Sequence, residues 1–101
     1  MKINGIEYQL SEKKNKKLKA YVNEKWVHFG GGGAGTDKIY EHFFDKTGLL
    51  PKSLNHQDEK RRELYLKRAS KIKDKEGNLT AKDINSPNYH ALRILWNYKE
   101  K

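Results

Sequence analysis

Apolar and polar side chains alternate through much of the first 29 residues. Ile6, Tyr8 and Leu10 are separated by Glu7 and Gln9, and Leu18, Ala20 and Val22 by Lys19 and Tyr21. A period of two places alternate side chains on opposite faces of a strand, one packed and one wet. Asn4-Gly5 is the favoured pair for a two-residue hairpin turn, so residues 2–10 are predicted to form a short hairpin or strand. A lysine-rich connector follows from Ser11 to Lys17. A turn at Asn23-Glu24-Lys25 then leads into Trp26-Val27-His28-Phe29, which predicts a second hairpin over residues 17–29.

Beyond Phe29 the period changes. Gly30 to Gly35 reads as a flexible loop. Thr36 or Asp37 can cap a helix whose apolar face is Ile39, Tyr40, Phe43 and Phe44 and which stops at Gly48. Leu49-Leu50-Pro51 breaks that pattern and opens an extended connector to about Gln57. Asp58 to Lys73 contains neither Gly nor Pro and is predicted as a helix, with Tyr65, Ala69 and Ile72 on one stripe. A turn around Gly77 and a short turn at Thr80 to Asp83 precede Ser86-Pro87, a good helix start with Ser as cap and Pro at the first helical position. That last helix is expected to run to about Tyr98 and to bury Tyr89, Leu92, Leu95 and Trp96.

The fold class that follows is α+β: a small antiparallel β-hairpin sheet in the N-terminal half, then two to three packed helices. The 101 residues make one domain. It divides into β-hairpins over 1–29, a glycine-rich loop over 30–36 and a helical part over 37–101. Apolar and charged residues each make up 35% of the chain, a balance that leans toward disorder, but eleven aromatic side chains including two Trp supply the material for a core. There is no cysteine, which excludes disulfides, thiol catalysis and cysteine-ligated metal. No apolar run is long enough for a signal peptide or a membrane span, so secretion through a signal peptide is not expected.

Charge adds the next constraint. Of the net +9, residues 1–29 carry seven Lys against three Glu, and residues 58–75 carry eight basic against four acidic side chains, so these two segments hold +4 each. The run Lys13, Lys14, Lys16, Lys17, Lys19 has no acidic residue inside it, and a local cationic surplus of this kind suits a polyanion. On the predicted helix, Lys60, Lys67 and Lys71 share one face while Arg61 and Arg68, seven apart, flank the Tyr65 stripe. These ten residues are the candidate nucleic-acid contacts, through phosphate. The alternative for the helix is intrahelical pairing with Asp58, Glu59 and Glu63. Tyr21 and Trp26, on the basic hairpin, are candidates for base stacking, whereas Trp96 follows Ile94-Leu95 and belongs in the core.

Catalytic chemistry has little purchase. Gly30-x-Gly32-x-x-Gly35 matches a dinucleotide fingerprint by letters only, because the strands before it are antiparallel in pattern and no acidic partner stands on a following strand. His28, His42, His56 and His90 show no metal-ligand spacing, although His28 and His42 could meet in space. No Ser sits in a nucleophile elbow. The expectation is a non-enzyme with no catalytic residue, metal, cofactor or small-molecule substrate.

Three blocks, Val27-His28-Phe29-Gly30, Asp58 to Ser70 with Arg61, Tyr65 and Arg68, and Leu95-Trp96-Asn97, occur in an order that resembles a family of short uncharacterised proteins of tailed phages and large DNA viruses. Typical members carry V-H-F-G, D-x-x-R-x-x-x-Y-x-x-R and L-L-W-N. About half the chain is covered; the segment of glycines with Leu49-Leu50-Pro51 departs from the pattern, and His90 stands where an aromatic is common. The resemblance implies a viral protein in the virion or the host cytoplasm. It points to a minor capsid or connector component contacting other viral structural proteins and packaged DNA or RNA, or alternatively a separate nucleic-acid-binding accessory protein.

Overall fold

The computed structural model describes residues 1–13, 15–31 and 41–98. Four strands, β1 (Lys2–Ile3), β2 (Ile6–Leu10), β3 (Lys16–Val22) and β4 (Lys25–Gly31), form one antiparallel sheet in sequence order. Local chemistry sets this meander. Asn4 and Gly5 at φ 52° and 79°, and Asn23 and Glu24 at φ 51° and 64°, give both tight turns the left-handed pairs that match strand twist. Register follows, with Leu18 opposite Leu10 and Phe29, and Ala20 opposite Tyr8 and Val27. Strand β4 extends through Gly31, two residues past the predicted end of the second hairpin.

The helical half begins at α1 (Glu59–Ala69), whose cap is Asp58; its carboxylate accepts the backbone N–H groups of Lys60 and Arg61. The helix stops four residues short of the predicted Lys73, and Ile72, expected on the buried stripe, is 51% exposed. Ser86 caps α2 (Pro87–His90), which passes directly into a π-helical turn, Ala91–Leu95, three residues shorter than expected. One-turn 3₁₀ segments occupy Lys52–Leu54 and Thr80–Lys82.

The predicted helix ending at Gly48 is corrected. Its start, residues 36–40, lies outside the described residues, and residues 41–48 are not helical. Their backbone donors go elsewhere: His42 N–H to the Leu54 carbonyl, Phe44 N–H to Leu95 and Lys46 N–H to Ile94. The last two satisfy carbonyls that the C-terminal turn leaves without intrahelical partners. Tertiary demand for donors at that helix end outweighs a local 3.6-residue pattern, and Phe44 ends 42% exposed.

The sheet buries one face. Tyr8, Leu18, Ala20, Val22 and Phe29 pack against Ala91, Ile94, Leu95 and Trp96. Across this interface the Tyr8 hydroxyl donates to His90 Nδ1 (3.0 Å), and His90 Nε2–H donates to the Ile84 carbonyl (2.6 Å), so a fully buried imidazole is satisfied at both nitrogens. Arg62, absent from the sequence-based candidates, ties α1 to the chain end: Nε donates to the Trp96 carbonyl at 2.9 Å and Nη2 to Asn97 at 2.7 Å. Among the described residues no helix is long and apolar enough to cross a membrane.

Candidate nucleic-acid interface

The sequence-based candidates divide between two places. The first is the face of β3 and β4 turned away from the core. Register sets Lys19 across from His28 and Tyr21 across from Trp26. The two aromatic rings meet with centroids 5.0 Å apart and stay accessible, Tyr21 at 47% and Trp26 at 37% exposure. β4 is an edge strand. Beside it runs a groove of about 440 Å³ lined by Lys13, Lys16, Lys25, Trp26, His28 and Asn85 among others, with no carboxylate among the described residues of its wall.

Lys13, Lys16 and Lys25 form no ion pair among the described residues. His28 lies beside Ser11, whose hydroxyl is 2.8 Å from Nδ1 and accepts the Lys13 N–H. Partial burial, then the field of Lys13, against the opposing charge of Glu12 and with further help from Lys19 and Lys16, hold the imidazole below its usual pKa. Lys19 differs from its neighbours. Its ammonium is 3.0 Å from the Glu12 carboxylate and 4.6 Å from the centre of the Trp26 ring, which makes it a brace for the platform. Lys14 lies outside the described residues.

Lys17 is corrected outright. It is 95% shielded from solvent (5% exposed), under the segment 42–55, and Nζ is 3.1 Å from His42 Nδ1. His42 Nε2–H in turn donates to Asn55 Oδ1 at 2.6 Å, the same oxygen that accepts the Asp45 N–H. The Asp45 carboxylate is buried too, accepting from Thr47 N–H and hydroxyl and from Leu50 N–H. Burial pushes Lys17 down to about 8, partly opposed by the nearby Asp45, and burial followed by the charge of Lys17 pushes His42 down to about 4. His28 and His42 therefore have different partners and do not meet. No signal in the sequence separates Lys17 from Lys19, since both occupy the same strand face.

The second place is a groove of about 310 Å³ where β3, β4, α1 and the C-terminal turn converge, lined by Lys17, Gly30, Glu41, Arg61, Tyr65, Arg68, Leu95 and Trp96 among others. Tyr65 lies flat on Trp96, centroids 4.0 Å apart and planes at 6°, which closes both rings to an intercalating base. Arg61 is 3.5 Å from Glu41. The Arg68 guanidinium has no hydrogen bond or ion pair among the described residues. Lys60 and Lys67 are exposed on α1, Lys71 is exposed in the turn beyond the helix end and so does not share their helix face, and none of the three lines either groove. The intrahelical pairing open to this helix is realised between Glu59 and Arg62, at 3.5 Å.

Gly30 is fixed by both conformation and space. Its φ is +82°, and an added Cβ would stand 3.0 Å from Lys17 Cβ and 3.1 Å from Leu95 Cδ1. Gly30→Ala is expected to lower unfolding free energy by about 2–4 kcal/mol, strain and overpacking together. Gly77→Ala, at φ +86° with nothing within 4 Å, isolates the strain, about 1 kcal/mol. Urea unfolding of both variants checks this, and equal losses would mean that the contact at Gly30 contributes nothing.

Among the described residues no three His, Asp or Glu side chains gather as a metal site. No family model, curated protein or solved structure matches the chain.

Proposed function

We propose that the protein is a non-enzymatic nucleic-acid-binding protein whose contact surface is the outer face of β3 and β4 with the groove beside the edge strand. The observation that carries this reading is a wall of Lys13, Lys16, Lys25 and His28 without a carboxylate among its described residues, next to the exposed Tyr21–Trp26 pair. Ammonium groups contact phosphates irrespective of sequence, and accessible rings give unpaired bases a surface on which to stack. A single strand therefore suits the surface better than a duplex, whose bases are already stacked. Buried Lys17 and His42 hold one another and Asn55, which supports a structural and not a catalytic duty for the most perturbed ionisable groups.

The resemblance to proteins of tailed phages and large DNA viruses supports placing this surface at packaged genome, in a minor capsid or connector component that also packs on other viral chains. A separate accessory protein of the infected cell needs the same surface. Mass spectrometry of purified particles separates the two, because the virion component is found there and the accessory protein is not.

The surface itself is tested by neutralising Lys13, Lys16 and Lys25 to Gln together, leaving buried Lys17 in place. Loss of three phosphate contacts is expected to weaken binding of a labelled single-stranded oligonucleotide by tenfold or more at low salt, about 0.5–1 kcal/mol per contact, with an unchanged urea midpoint. Trp26→Ala is expected to cost a further 1–3 kcal/mol, roughly one stacked base. Unchanged affinity in both variants removes the proposal.

A further inference from the structure

We infer that the second groove, between β3, α1 and the C-terminal turn, is a phosphoryl-binding site that takes a phosphate monoester dianion. Three cationic side chains line it, Lys17, Arg61 and Arg68, against one carboxylate, Glu41. Glu41 forms an ion pair with Arg61, at 3.5 Å, and the Arg68 guanidinium has no hydrogen bond or ion pair among the described residues. Lys17 has three donors, of which one reaches His42 Nδ1. The donors outnumber the acceptors offered by the described residues.

His56 adds an independent indication. Its Nδ1 accepts the Asp58 N–H at 2.9 Å, which places the ring proton on Nε2. That Nε2–H is buried and has no hydrogen-bond partner among the described residues. A buried donor without an acceptor is destabilising, and such groups are rare unless something outside the chain completes them. The ring lies against Trp96, centroids 5.3 Å apart, and the charges that act on it are those of Arg61, Glu41, Asp58 and Lys17. Three of those four line the groove, and the ring itself lies behind its wall, against Trp96.

The ligand is a phosphoryl group and not a base, because the aromatic walls are already stacked on one another. A dianion with three terminal oxygens can receive forked guanidinium bonds from two arginines and still reach an ammonium. A phosphodiester inside a strand carries one charge and is hemmed in on both sides, so the site suits a terminal phosphate or the inorganic ion. The inference stands apart from the surface on β3 and β4, with which it shares no lining residue.

The probe is inorganic phosphate, titrated against chloride at equal ionic strength and followed by thermal unfolding and by the ¹⁵N-resolved His56 Nε2–H signal. The wild-type protein is expected to gain thermal stability from phosphate beyond chloride and to shift the His56 signal. Arg68→Gln, an exposed change that breaks no contact among the described residues, is expected to bind phosphate about tenfold more weakly, one charge-assisted bond. The Lys13, Lys16 and Lys25 variant should respond like wild type, so failure here and failure of the strand-binding surface are read separately. A short oligonucleotide with a 5′-phosphate, compared with its 5′-hydroxyl form, identifies the source. Preference for the phosphate that Arg68→Gln abolishes assigns a nucleic-acid terminus; a phosphate response without that preference assigns the small ion. No stabilisation beyond chloride, or an equal response in Arg68→Gln, overturns the site.

Discussion

Trp96→Ala is expected to lower the unfolding free energy by about 3–5 kcal/mol. That loss is a large fraction of the total for a domain of this size, about 5–15 kcal/mol. The indole is 9% exposed and belongs to the core that the sheet shares with the C-terminal turn. It also carries the flat stack with Tyr65 at 4.0 Å and touches His56 at 5.3 Å, while its carbonyl receives Arg62 at 2.9 Å. One ring thus joins the sheet, α1 and the connector, and truncation opens a cavity that three elements would have to close. Urea unfolding followed by far-UV circular dichroism measures the loss. Tyr65→Phe keeps the stacked ring and is expected to cost under about 1 kcal/mol. A Trp96→Ala variant as stable as wild type would mean that the elements do not meet around this side chain.

Acidification is expected to produce a loss of similar size. His42 has its pKa pushed down to about 4, first by burial and then by the Lys17 ammonium, against weaker support from Asn55 and Asp45. His90, buried between Tyr8 and the Ile84 carbonyl, is depressed by burial as well. Unfolded, each titrates near 6.5. Between those values the unfolded chain binds more protons than the native one, so stability rises with pH across the window and falls as pH drops from about 6.5 toward 4. For His42 alone the difference is on the order of 3 kcal/mol. Urea midpoints at pH 7, 6, 5 and 4 follow it, and the first part of the decline lies above the range where carboxylates titrate. His42→Gln should flatten the curve between pH 6.5 and 5. A wild-type midpoint constant over that range contradicts the buried, neutral imidazoles.

The elements legible in the sequence are those fixed by neighbouring residues. Asn4-Gly5 and Asn23-Glu24 turn where their left-handed propensity demands, and the alternation at Leu18, Ala20 and Val22 becomes the buried face of β3. Ser86 caps the helix it is expected to cap, and Asp58, expected as the first helical residue, is the cap of α1. What stayed hidden depends on distant partners. Phe43 and Phe44 have helical spacing, yet Phe44 and Lys46 donate to the carbonyls of Leu95 and Ile94 almost fifty residues away. Lys17 alternates with Lys19 and Tyr21 as a surface residue would, until the segment around His42 folds over it.

The interface was partly readable in the same sense. Lys13, Lys16, Tyr21 and Trp26 come together because strand register brings them together, and register follows from the turns. Lys25 was read as a turn residue; it is the first residue of β4 and faces Val22, a consequence of Asn23 and Glu24 alone forming the turn. Arg61 and Arg68 share a helix side as their seven-residue spacing requires, but that this side meets Lys17 and Gly30 is a tertiary fact. The unsatisfied His56 Nε2 follows from the Asp58 cap geometry and has no counterpart in the pattern of residue types.

The salt dependence of single-stranded oligonucleotide binding, measured by fluorescence anisotropy on the wild-type chain, tests the account most directly. Three lysines lining the groove, each releasing about 0.7 of a counterion, predict that log K falls against log salt with a slope of about −2. The Lys13, Lys16 and Lys25 to Gln variant should approach a slope of zero. Binding that is absent at low salt, or whose slope is the same in wild type and variant, would contradict a nucleic-acid contact at β3 and β4.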